Sequence, residues 1–104
     1  MEIQHSLDVS TAVTRIRPSG EIDMAVADRL EQILTAHLAN GAVRVVVDLG
    51  DVSFLDSSGI RALVIAHQFA KEHQRSLRVE NPRPFVRTVL EIGGVMTLLT
   101  GEPG

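Results

Sequence analysis

Apolar and polar positions along this chain alternate at two periods, and the switches between them mark the elements. Ile3, His5 and Leu7 alternate with polar neighbours, Asp8 to Ser10 carries turn residues, and Ala12 to Arg17 alternates again. That pattern predicts a β-hairpin, and Pro18-Ser19-Gly20 is expected to end its second strand. Val26, Leu30, Ile33, Leu34 and Leu38 then recur at helical spacing, with Asp28, Arg29, Glu31, Gln32 and Thr35 on the polar side. Asp23 is the expected N-cap of this helix, which should run to about Asn40 and stop at Gly41 as its C′ residue.

Val43 to Leu49 is apolar on both faces apart from Arg44 and Asp48, as suits a central parallel strand covered on both sides. The apolar run continues through Val52-Ser53-Phe54-Leu55 to Asp56-Ser57-Ser58-Gly59, and Ile60 to Ala66 then reads as the start of a buried helix. Lys71, His73 and Arg75 gather where that helix should end, near Gln74. Leu77 to Glu80 is a short strand, and Asn81-Pro82-Arg83-Pro84 turns the chain into a third helix with Pro84 in its first turn. This helix should bury Phe85, Val89 and either Leu90 or Ile92, and stop at Gly93-Gly94. Val95 to Leu99 is expected as a last edge strand, followed by a frayed tail, Gly101 to Gly104. The order predicts one α/β domain over residues 1–104, with a mixed, mostly parallel sheet of about four to five strands and right-handed helical crossovers.

Composition narrows the function. A chain of 104 residues buries roughly two-thirds of its unfolded surface, enough for one core. Its 44% apolar and 22% charged residues are those of a globular protein, and a net charge of −3 gives no electrostatic reason to bind nucleic acid. The lack of cysteine excludes disulfides, thiolate metal sites and thiol switches. Met1-Glu2-Ile3-Gln4-His5 has no apolar signal region, and Arg44, Asp48, Asp51 and Arg61 interrupt the apolar runs short of a membrane span. A cytoplasmic location without membrane insertion is the expectation. No metal-ligand spacing or glycine-rich phosphate loop is present. A catalytic serine would need a base within hydrogen-bond reach, and His67 lies about 15 Å along the helix from Ser57. His37 and His67 extend apolar stripes. No catalytic residue and no cofactor are expected.

The junction at Asp56-Ser57-Ser58-Gly59 is the most informative feature. A serine that opens a helix lies near the positive end of the dipole, where the amides of Ser58, Gly59 and Ile60 should be open to a phosphate. Asp23 and Ser57 hold equivalent places, each after a strand and at the start of the returning helix. If the strands before them are parallel neighbours, Glu21, Asp23, Asp56 and Ser57 share one small surface at the carboxyl edge of the sheet. The plainer role for Asp23, Asp56 and Ser57 is helix capping.

Gly20-Glu21-Ile22-Asp23, the amphipathic helix, the valine strand and Phe54-Leu55-Asp56-Ser57-Ser58-Gly59 together resemble the STAS domain, specifically the bacterial anti-sigma-factor antagonists. The likeness runs from Thr14 to Leu98 and includes the stretch Pro84 to Val95. The resemblance implies a regulator of transcription rather than an enzyme. Its unphosphorylated form would bind an anti-sigma factor that is also a serine kinase, and so release the sigma factor. The kinase, carrying its own Mg-ATP, would then phosphorylate the first serine of the motif, Ser57 here, and a serine phosphatase would reset the cycle. By the same resemblance Asp23 and Asp56 match the motif acids that contact the kinase or orient the hydroxyl. Ser58 and Gly59 would shape the loop, with Ser58 the weaker acceptor, and Glu21 completes the partner surface. Relatives often continue into another C-terminal helix, whereas this sequence stops at Gly104. The alternative is a constitutive STAS scaffold, a subunit of a membrane transport or signalling complex in which Ser57 stays unmodified. Nothing in the sequence specifies an oligomeric state.

Overall fold

Asp8 closes the first turn. In the computed structural model, which describes residues 1–102, its Oδ1 accepts hydrogen bonds from the Ser10 amide (3.0 Å), the Ser10 hydroxyl (2.7 Å) and the Thr11 amide (3.4 Å). This side-chain turn joins β1 (Glu2–Asp8) to β2 (Val13–Ile22) as an antiparallel hairpin.

β2 does not end at Pro18-Ser19-Gly20 but runs on to Ile22. Its first half, Val13 to Ile16, pairs in parallel with β3 (Arg44–Asp48), and its second half, Ser19 to Ile22, pairs in parallel with β4 (Asp51–Leu55). Pro18 falls in the gap between the two partners, where a residue without an N–H is tolerated. Gly20 takes a φ of +89° where the register shifts, a conformation that favours glycine.

The apolar stretch around Leu49 is therefore two strands. Asp48 Oδ1 accepts the Gly50 amide (2.9 Å), and the Leu49 carbonyl accepts the Val52 amide (3.0 Å). This turn swings the chain from β3 to β4. β5 (Ser76–Glu80) pairs in parallel with the other edge of β3, giving a five-stranded mixed sheet of order β1-β2-β3-β5 with β4 against the second half of β2.

Four helices complete this α/β fold: α1 (Ala27–Ala39), α2 (Ser57–Glu72), α3 (Pro84–Ile92) and α4 (Met96–Thr100). Leu30, Leu34 and Leu38 of α1 and Leu63, Ala66 and Ala70 of α2 join Ile16, Val47 and Val79 of the sheet in one core. The strand registers put Arg15, Val46 and Arg78 in one row of the opposite face, beside Asp48 and Glu80. Arg15 pairs with Asp48 (3.5 Å) and Glu80 (3.2 Å), so that face is closed by a charged lattice rather than by a second helical layer.

Four expectations change at the edges. Regular helix in α1 begins at Ala27 rather than directly after Asp23; Asp23 instead holds a turn, its Oδ1 accepting the Ala25 amide (3.0 Å) and its carbonyl the Ala27 amide (3.0 Å). α3 buries Val86 and Leu90 and leaves Phe85 and Ile92 exposed, with Phe85 stacked on Phe54. The expected last strand is α4, because burial of Met96 and Leu99 with Leu98 exposed follows helical spacing. Gly101 and Glu102 of the tail are tied down, the Gly101 amide by Thr97 and the Glu102 carboxylate by Arg87 (3.0 Å), while Pro103 and Gly104 lie outside the described residues.

The β1 hairpin meets α1 through a pair of imidazoles, His5 and His37, with centroids 5.3 Å apart. Burial, and then the charge of His5, hold His37 below its usual 6.5. The unfolded chain thus binds a proton that the fold resists, so this contribution is complete above about pH 6.5 and declines as pH falls below it. Denaturant midpoints should drop between pH 7 and 5, and His37→Gln should flatten that slope; an unchanged slope would contradict the assignment.

Candidate functional site

The carboxyl ends of β2 and β4 form one edge. Glu21 lies opposite Phe54 and Ile22 opposite Leu55, and the Asp56 amide donates to the Ile22 carbonyl (3.4 Å). Asp23 and Asp56, each the first residue after its strand, consequently leave the sheet side by side. The expected shared edge is present, although the neighbour that delivers Ser57 is β4 rather than the long valine strand.

Asp56 is the N-cap of α2, with extended backbone (φ −113°, ψ −172°). Its Oδ1 accepts the amides of Ser58 (2.9 Å) and Gly59 (3.2 Å) and the Ser58 hydroxyl. These bonds satisfy donors that a helix start leaves open. They also hold the Asp56 carboxyl below its ordinary range, the Ser58 hydroxyl contributing most; partial burial opposes the shift, and the Gly59, Ser58 and Met24 amides add to it. The Ile60 amide donates to the Asp56 carbonyl (3.1 Å). All three amides expected to be open to a phosphate are therefore occupied.

The two serines are now distinct. Ser58 is half-buried and its hydroxyl is spent on Asp56. Ser57 is exposed, and none of the described residues hydrogen-bonds its hydroxyl. Asp56 thus orients Ser58 rather than Ser57. Both serines line a cleft of about 860 Å³ between α1 and α2, together with Met24, Asp28, Glu31, Gln32 and Arg61.

A family model described as "Mlab, STAS domain" matches residues 5–100. This chain belongs to the STAS domain family. A Bordetella bronchiseptica protein named as an anti-sigma factor antagonist, BtrV, is 33% identical over 79 residues, 76% of this chain and 68% of its own length. A solved anti-sigma factor antagonist from Mycobacterium paratuberculosis superposes with a TM-score of 0.79 at 28% identity, covering 94% of this chain and 83% of that one. SpoIIAA of Bacillus shares the fold in two forms. The unphosphorylated form gives a TM-score of 0.78 at 23% identity (91% of this chain, 83% of that one). The phosphorylated form gives 0.72 at 21% (95% and 88%).

Gly59 has a different part in this STAS domain from the loop shaping the resemblance implied. It is buried, and a Cβ there would lie 2.3 Å from Leu55 Cδ1 and 3.0 Å from Ile22 Cγ2. Its role is to let α2 approach the β2–β4 edge closely. Glu21 is exposed on that edge, while Asp23 is half-buried and committed to its own turn. The residues that sequence reasoning left out are Met24 and Arg61. Met24 is 82% exposed directly after the Gly20-Glu21-Ile22-Asp23 motif, and Arg61 stands one helical turn beyond Ser57. That spacing was visible in the sequence.

The histidines lie elsewhere. His5 and His37 line a separate groove, His67 Nδ1 is 3.0 Å from the Leu77 carbonyl, and His73 Nδ1 is 2.8 Å from the Phe69 carbonyl. None lines the Ser57 cleft.

Two outcomes follow from this geometry. Overpacking a close contact costs about 1–3 kcal/mol, against a helix-propensity gain of at most about 1 kcal/mol, so Gly59→Ala should lower the urea midpoint. A raised midpoint would show that α2 does not need the close approach. For Asp56, the depressed carboxyl contributes stability that is complete above its usual 3.8 and lost as pH falls through its lower folded value. Asp56→Ala should lower the melting temperature at neutral pH and remove part of the acid limb; an unaltered acid limb would contradict the cap.

Proposed function

We propose that this STAS domain is an anti-sigma factor antagonist switched by phosphorylation of Ser57. One observation carries the reading: at the Asp56-capped start of α2, Ser57 alone of the two serines offers an exposed hydroxyl without an internal partner. Antagonists named as such among the relatives, and a phosphorylated form of one structural neighbour, support it. The unphosphorylated domain binds an anti-sigma factor with serine-kinase activity through the edge that carries Glu21, Asp23, Asp56, Ser57 and Ser58, which buried Gly59 supports from beneath, and the sigma factor is released.

The kinase holds Mg-ATP, and this chain supplies no cofactor. The Ser57 Oγ–P bond forms as the bond from the γ-phosphorus to the ADP oxygen breaks, and the hydroxyl proton passes to a base on the kinase. A serine phosphatase reverses the state by hydrolysis. The domain acts in the cytoplasm as a regulator rather than an enzyme; among its described residues no helix is long and apolar enough to cross a membrane.

A phosphate adds about −1.5 to −2 charges beside Asp56, on an edge that also carries Asp23 and Glu21. A like-charge clash in an interface costs several kcal/mol, equivalent to two or more decades of affinity. With the anti-sigma factor recovered on Ser57→Ala protein, titration calorimetry should give tight binding for Ser57→Ala and binding at least about 100-fold weaker for Ser57→Glu. Both variants should fold normally. Equal affinities would overturn the switch, and transport-complex subunits retained equally by both would support the scaffold role instead.

A further inference from the structure

Asp56 occupies the Ser58, Gly59 and Ile60 amides, so these donors do not serve a phosphate on Ser57, and a nearby side-chain cation would add to what the helix start still offers. Arg61 lies four residues further along α2, the spacing at which helical side chains meet, with the acidic group on the favourable N-terminal side. Both residues line the same cleft, and both are exposed. Among the described residues Arg61 forms no ion pair, unlike Arg15, Arg17, Arg78 and Arg87. The other charged groups on the cleft are Asp28 and Glu31 of α1, which repel a phosphate and leave Arg61 as its cation.

We propose that Arg61 holds the phosphate of phosphorylated Ser57 in cis, an inference that rests on Ser57 being the phosphorylated residue. A guanidinium binds phosphate oxygens through paired N–H donors, which a point charge does not reproduce in geometry. Phosphorylation then changes the partner surface twice: it adds negative charge at the start of α2 and takes the cleft's free cation away from any incoming acidic group. Arg61 is a positioning residue in this scheme, and its removal leaves the capped turn intact.

The test reads the phosphate itself. With phosphoserine installed at position 57 during translation, ³¹P NMR follows the second phosphate ionisation, whose ordinary value is about 6. Arg61→Gln should raise that value by about 0.3 of a pH unit or more, the shift matching an exposed i,i+4 ion pair. Arg61→Lys should restore much of it, and identical titrations in the native and Arg61→Gln proteins would overturn the pairing. Partner affinity measured on the same phosphorylated samples separates the two readings. An unshifted titration with binding still lost on phosphorylation overturns only the Arg61 pairing. A shifted titration with binding unaffected supports the pairing and overturns only the antagonist role.

Discussion

One carboxylate oxygen organises the edge that carries the candidate site. Asp56 Oδ1 gathers two amides and a hydroxyl at the start of α2, fixing the first turn and deciding the fate of both serines. By binding Ser58 it leaves Ser57 as the available group. By accepting the Ser58 and Gly59 amides it also leaves a phosphate fewer of the donors that a helix start usually offers. The helix cap and the bond that leaves only one of the two hydroxyls free are here the same interaction.

That carboxylate reaches its place through a second aspartate. The turn held by Asp48 and Gly50 divides the apolar run into β3 and β4, so β4 can pair with the far half of β2. Without this break the long valine strand would have no geometric reason to carry Asp56 to the end of β2. Asp48 is 8% exposed and linked to Arg15, so the turn is also tied into the charged lattice on the outer face of the sheet. Gly59 then settles how near α2 comes, since any side chain there meets Leu55 and Ile22.

Much of this was legible in the sequence. The hairpin, the two long helices, Gly41 as a C′ residue with φ +110°, and the shared carboxyl edge all follow from periodicity and turn chemistry. The failures have physical causes. Pro18 reads as a stop unless one knows that β2 changes partners there, and a partner change is a tertiary fact. Asp48-Leu49-Gly50-Asp51 carried a turn signal that the surrounding valines masked. Val95 to Leu99 is a short apolar run whose period is ambiguous until Met96 and Leu99 are buried against the core. At the site, the placing of Asp23 and Asp56 on one edge was legible, but which serine Asp56 binds depends on side-chain geometry that no spacing encodes.

The claim that the capped turn selects Ser57 is tested most directly by locating phosphate on the protein isolated from the cells that make it. Fragmentation mass spectrometry across a change of growth state should find a modification on Ser57 that varies with that state, and none on Ser58. Phosphate on Ser58, or no phosphate in any state, would contradict the account.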